Sequence, residues 1–272
     1  MLHYVGPTLF RGLCPTTILT ETRRIRFFLE FLKFNENPSR LRHLRHDQIE
    51  DYFHQMARTN SRPSLQAVVG TVRNFLRWKH QEGTLSRPLH LQIDTPRVYR
   101  LERLPRTLPW AQVQALLGSI DRSDALGQRD FTILCLAAAY GLRSSELIDL
   151  TLDDIDWRRR RLRLRQRKTR QAIQLPVTDE AANVLIKYLR AGRPASRHRQ
   201  LFLRRQAPTG PMAPEMVGNV LTRRIALSGL QLPAISPHAL RHSFAVHLLR
   251  QGVSMKTIAD SLGHRDIEST LT

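Results

Sequence analysis

His238 and Arg241 stand three residues apart in SPHALRHSFAVHLL, and His264 follows them in SLGHRD. A second arginine, Arg143, lies in AYGLRSSELIDL, and Lys168 lies in RQRKTRQAIQLPV. Guanidinium groups are always charged and present a rigid fork that grips two phosphoryl oxygens at once. A histidine can accept the proton of an attacking hydroxyl, and a lysine can give one to a leaving oxygen. Brought together, two arginines, two histidines and a lysine could carry out phosphoryl transfer at a phosphodiester without a metal. No carboxylate cluster, glycine-rich phosphate loop or H-E-x-x-H zinc motif competes with that chemistry. Singly, each residue has an ordinary reading as a solvated cation, a carboxylate partner or a structural histidine. Only the combination points to a phosphate site.

The elements that must position these residues can be traced along the chain. Ser236 can cap a helix with Pro237 at its first position, where a missing N–H costs little. His238 and Arg241 then share a face near an N-terminus that already favours anions. That helix runs to about Gly252, Ser254 can cap the next, and Gly263 ends it just before His264. Upstream, a helix from about Asp130 to Tyr140 stops at Gly141. Arg143 follows in the turn, with Ser144 as a candidate cap. The period then changes: RLRLRQ and AIQLPV each alternate apolar and polar residues, which predicts a hairpin with Lys168 near its tip.

The rest of the chain is mostly helical. Ile25, Phe28, Leu29 and Leu32 fall at helical spacing. Asp47 with Glu50 has the form of a capping box ahead of Tyr52, Phe53 and Met56. A third helix starts near Ser64, carries Val68, Val69, Val72, Phe75 and Leu76, and stops at Gly83. This predicts a helical bundle over 17–87. From 88 to 106 the periodicity fails among prolines and arginines, as in a basic linker. A second domain, mainly helical with a small antiparallel sheet, begins at Thr107, a candidate helix cap, and continues to Thr272.

The chain has 272 residues, is 41% hydrophobic and carries a formal charge of +20. Such a charge predicts a polyanionic partner, duplex DNA above all, because each phosphate neutralised releases counterions. Cys14 and Cys135 form no framework for disulfides or metal, which fits a reducing compartment. No apolar span suggests a membrane. A cytoplasmic location, in contact with the nucleoid of a prokaryote, is the expectation.

These motifs resemble those of the tyrosine recombinases, also called the phage integrase family. AYGLRSSELIDLTLDDIDW is similar to the block holding the family's first catalytic arginine, here Arg143. RQRKTRQAIQLPV is similar to the hairpin of the catalytic lysine, here Lys168. SPHALRHSFAVHLL resembles the His-x-x-Arg block, giving His238 and Arg241, and SLGHRD resembles the motif of the last histidine, His264. The resemblance implies an α+β catalytic domain over 107–272 and a DNA-gripping core-binding bundle before it. It also implies site-specific recombination or integration through a 3′-phosphotyrosine, with no cofactor. Its partners would be double-stranded DNA and other protomers in a tetrameric synapse.

One element of the family pattern is missing. The nucleophilic tyrosine normally follows the Leu-Gly-His histidine at a short spacing that reaches just past Thr272. The tyrosines present are Tyr4, Tyr52, Tyr99, Tyr140 and Tyr188. The catalytic domain is therefore expected to be C-terminally incomplete, through a truncated gene or a fragmentary sequence. The alternative is a protein that occupies recombination sites without cutting them.

Overall fold

The computed structural model describes residues 12–97, 107–165 and 172–262. The chain divides into two compact units, Met1–Glu102 and Arg103–Thr272.

The first unit consists of α1 (Pro15–Phe31), the short α2 (Ser39–Arg42), α3 (His46–Thr59), α4 (Arg62–Gln81) and a 3-10 turn at Leu89–Leu91. The apolar positions expected from spacing all point inward: Ile25, Phe28, Ile49, Tyr52, Val72 and Leu76 are buried. Phe28 packs edge-on against Tyr52 and Phe75, at ring separations of 5.1 and 6.4 Å, an arrangement favoured by the ring quadrupoles. The α3 cap differs from the expected one. Arg45 is the N-cap, and Gln48, not Glu50, closes the box by accepting from the Arg45 N–H at 3.0 Å. Helix α4 opens from Ser61, a few residues before the expected start. Gly83, at φ +82, turns the chain away, as a helix-ending glycine should. Packing continues past Arg87, where the linker was placed: Leu89 and Ile93 join this unit's core. Arg73 ties the same segment down by donating to the Ile93 carbonyl at 2.6 Å.

The second unit is built around α6 (Ala125–Tyr140). This helix is apolar on nearly all sides, so it is buried on nearly all sides: Ile133, Leu134, Leu136 and Ala137 are 0% exposed. Around it lie α5 (Trp110–Gly118), α7 (Ser144–Asp149), α8 (Asp179–Lys187), α9 (Glu215–Ser228), α10 (Pro237–Arg250) and α11 (Met255–Leu262). Two starts differ from expectation. Pro109, not Thr107, precedes α5, and α6 begins five residues before Asp130, capped by Asp124 through the Gly127 N–H at 2.6 Å. Asp130 is fully buried on α6, where Arg129 and Arg224 each approach it to 2.9 Å and Arg223 also pairs with it. Buried charges persist only when paired in this way, and the cluster fastens α9 to α6.

The sheet is antiparallel, in the order β1 (Ile155–Asp156), β2 (Arg161–Arg165), β3 (Ala172–Pro176). The two predicted strands pair antiparallel, with Leu162 opposite Leu175 and Leu164 opposite Ile173. Leu162 and Leu164 face the core while Arg161, Arg163 and Arg165 face out, as a two-residue period requires. The short β1 was not expected. Lys168 lies outside the described residues, as does His264. Among the described residues, no helix is long and apolar enough to cross a membrane.

Candidate active site

The Arg143 and Arg241 side chains meet around one carboxylate. Helix α6 ends at Gly141, which takes the left-handed conformation at φ +61. A side chain there would collide with Leu262 Cδ2 at 2.6 Å and Phe244 Cδ1 at 2.8 Å, so only glycine lets α6, α10 and α11 close together. Two residues on, Arg143 is the N-cap of α7. Glu146, at the third helical position, accepts from the Arg143 backbone N–H at 2.8 Å and from Arg143 Nη1 at 2.7 Å. Ser144, the expected cap, is instead the first helical residue. Glu146 was not singled out in the sequence, although an acidic residue three positions after a helix cap is a recognised signal.

Arg241 enters from α10, which is well anchored. Ala239 and Leu240 are buried, Ser243 Oγ accepts from the Leu108 N–H at 2.8 Å, and His247 stacks on Trp110 at 4.2 Å. The Arg241 residue is only 5% exposed. Its Nη1 donates to the Gly141 carbonyl at 2.6 Å and its Nη2 to the Leu262 carbonyl at 2.5 Å. Both carbonyls lie at helix C-terminal ends, where backbone dipoles favour a cation. Glu146 Oε2 lies 3.8 Å from Nη1. Of the five N–H groups a guanidinium carries, the two carbonyls occupy two, which leaves donors for an anion.

Burial, reinforced by the Arg143 charge, lowers the Arg241 pKa to about 10. The group therefore stays charged at neutral pH in a poorly solvated place, where it gains most from an arriving anion. His238 lies one turn earlier on α10 and is exposed to solvent. Desolvation against the domain, then the charges of Arg241 and Arg143, push its pKa below the ordinary value, which Glu146 partly offsets. His242, not foreseen as a site residue, is lowered by burial and by its neighbours His238 and Arg241.

A depressed histidine pKa means the folded state favours the neutral ring. That contribution to stability is present above the unfolded value of about 6.5 and is lost as pH falls through the folded pKa. An anion held by the arginines favours the charged ring instead. Adding inorganic phosphate should therefore raise the His238 pKa, read from its ring-proton resonances. A His238 titration indifferent to phosphate would separate it from the arginine pocket.

The described tyrosines are poor nucleophile candidates. Tyr140 and Tyr188 donate their hydroxyls to the Pro176 and Leu201 carbonyls at 2.9 and 3.1 Å, and Tyr52 lies in the core of the first unit. Burial raises all three, Tyr52 and Tyr188 to about 12, which opposes phenolate formation.

Two forked cations and a histidine near a helix N-terminus thus share one region of a helical domain with a three-stranded sheet. The pattern of the phage integrase family matches residues 106–272, and the chain belongs to that family, the tyrosine recombinases. It is 32% identical over 262 residues to the putative integrase/recombinase y4rA of Sinorhizobium fredii, covering 96% of this chain. It spans 63% of that relative's length. It is 30% identical over 266 residues to the tyrosine recombinase XerD of Listeria monocytogenes, covering 96% of this chain and 88% of the relative. Its fold is similar to that of lambda integrase in the crystal structure of a dimer bound to a COC′ core site, at a TM-score of 0.74 and 18% identity, over 99% of this chain and 92% of that one.

Proposed function

We propose that this chain performs the DNA-binding and phosphate-activating part of site-specific recombination, in which strands are broken and rejoined through a 3′-phosphotyrosine. The observation that supports this most directly is the convergence of Arg143 and Arg241 on Glu146, with His238 one turn before Arg241 on α10. In this reading the two arginines hold the non-bridging oxygens of the scissile phosphate and neutralise the charge that builds on them. Neutral His238 stands ready to exchange a proton with the attacking or leaving oxygen. His264 completes the phosphate contacts, and Lys168 protonates the leaving 5′-oxygen. The family membership supports both assignments. No bond energy is lost in the covalent link, so rejoining requires no external energy source.

The first unit acts as the core-binding domain, and the arginine-rich stretch after it follows the duplex. The net charge of +20 supports extensive phosphate contact. Several such contacts should make affinity fall about 10³-fold or more between 50 and 200 mM salt. Synapsis with further protomers is proposed because lambda integrase is described both as a dimer on its core site and as a tetramer on a Holliday junction. The place of action is the nucleoid.

The test is covalent trapping on a nicked suicide duplex that carries the cognate site. The sequence has no tyrosine after Tyr188, so residues 1–272 are assayed alone and extended by a family-like segment that opens with tyrosine. The extended chain should give a detergent-resistant, protease-sensitive protein–DNA band, and the shorter one should bind without linking. A band from residues 1–272 alone would mean that another side chain is the nucleophile. An extended chain that binds its site and stays inert would favour a protein that only occupies recombination sites.

A further inference from the structure

Arg204 is a partly buried arginine without a counter-charge. Its Nε is inaccessible to solvent and has no hydrogen-bond partner, and no carboxylate pairs with it among the described residues. Leaving a charged donor unsatisfied is costly, so a buried one calls for a partner such as an anion or a water. The surroundings are firmly held. Leu201 N–H donates to the Leu150 carbonyl at 2.7 Å, Tyr188 Oη to the Leu201 carbonyl at 3.1 Å, and Arg204 N–H to the Gly210 carbonyl at 2.8 Å. Arg193 donates to the His198 and Gln200 carbonyls at 2.5 and 3.0 Å.

Gly210 is buried beneath these side chains. A methyl group on it would lie 3.3 Å from Arg204 Nη2 and 3.8 Å from His198 Nε2. Gly210 is not among the glycines with positive φ, so its backbone conformation does not demand glycine. The missing side chain instead lets the Arg204 fork lie close against the backbone, with the His198 imidazole beside it. Arg197 and Arg205, both exposed, add positive potential nearby. An unpaired guanidinium beside an imidazole nitrogen, which donates in one of its two tautomers, matches the oxygens of a phosphate.

We propose that Arg204 and His198, over the bare face of Gly210, form a second phosphate site in the second unit. It shares no residue with the Arg143–Arg241 pocket. Its occupant is a backbone phosphodiester of the bound duplex, an assignment that rests on the proposed function. The contact would hold the duplex in register without reading a base.

Two variants test it: Arg204→Gln, which removes the fork, and Gly210→Ala, whose methyl group crowds the fork at 3.3 Å. Each should reduce the slope of log affinity against log salt by about 0.9, the value for one lost phosphate. The loss should be equal on cognate and unrelated duplexes. With no DNA present, inorganic phosphate should raise the melting temperature of the unmodified protein above that in chloride at equal ionic strength. Arg204→Gln should lose the part of that increment which an Arg143→Gln variant keeps. In chloride, Arg204→Gln should be no less stable than the unmodified protein, since it removes a donor without a partner. An unchanged slope in both variants, with the phosphate increment intact, would overturn the site. A lost phosphate increment with an unchanged slope would overturn the duplex as occupant and leave a free phosphate. If the unmodified protein binds no duplex, the proposed function fails, and the phosphate arm still decides whether the anion site exists.

Discussion

Replacing Arg241 with alanine in the tyrosine-extended chain is expected to slow covalent attachment to DNA by about 10³-fold, since one pre-positioned donor to a developing oxyanion is worth 10²–10³ and this one is charged. Duplex affinity should change little, because many phosphates share that energy while one arginine serves the reacting group. The difficulty is that Arg241 also bonds the Gly141 and Leu262 carbonyls, so alanine would loosen the meeting of α6 and α11. Arg241→Lys separates the two roles. Lysine keeps the charge but is a point donor without a fork, and it cannot reach two carbonyls and bind a phosphate bidentately. It should retain most of the stability and still lose about 10²-fold in attachment. Denaturant midpoints and single-turnover trapping on the same samples give both quantities. An alanine variant that attaches within a few-fold of the unmodified rate, on a verified site, would remove Arg241 from the chemistry.

What the sequence revealed of this site was its punctuation. Gly141, Pro237, Ser254 and Gly263 announce chain reversals, and a residue next to a reversal can be placed without knowing the tertiary fold. Arg143, His238 and Arg241 were placed along the chain in this way, while the hairpin strands were read from leucines alternating with arginines. Depth was not legible. Arg241 and His238 share a helix face by spacing, yet Arg241 is 5% exposed and His238 is open to solvent. The difference arises from the ends of α6 and α11, which come from other parts of the chain. Helix α6 was read as starting at about Asp130, although Arg129 and Asp130 lie inside it and are buried. They are buried because α9, some ninety residues later, brings Arg223 and Arg224 to the same carboxylate. Strand β1 is two residues long and carries no period to detect. Glu146 was overlooked because the cap was assigned one residue late, to Ser144. That shift hid the box that turns Glu146 toward both arginines.

Glu146 leads to the second large effect. Glu146→Ala removes a buried carboxylate that accepts from the Arg143 backbone, pairs with the Arg143 side chain and faces Arg241. Breaking a buried ion pair from one side costs about 3–5 kcal/mol, but not all of that applies here. Arg143 is 32% exposed and can turn to water, so its pairing contributes little. Arg241 cannot rehydrate, although its two carbonyl acceptors remain. An expected loss of about 2–4 kcal/mol is therefore reasonable for alanine. Glu146→Gln separates the charge from the cap. Its amide oxygen can still accept from the Arg143 N–H, which should recover about 1 kcal/mol. The remainder of the loss is then the cost of holding Arg241 without a counter-ion. That leads to an inverse coupling: with less negative charge between them, the two guanidinium groups should bind inorganic phosphate more tightly in Glu146→Gln than in the unmodified protein, while the variant is less stable without ligand. Saturating phosphate should then restore much of the lost stability, because a ligand that binds only the folded state stabilises it by mass action. Chemical denaturation with and without phosphate measures both terms. If Glu146→Gln were as stable as the unmodified protein and bound phosphate no better, the carboxylate would be a helix cap alone and would not hold the place of an anion between the arginines.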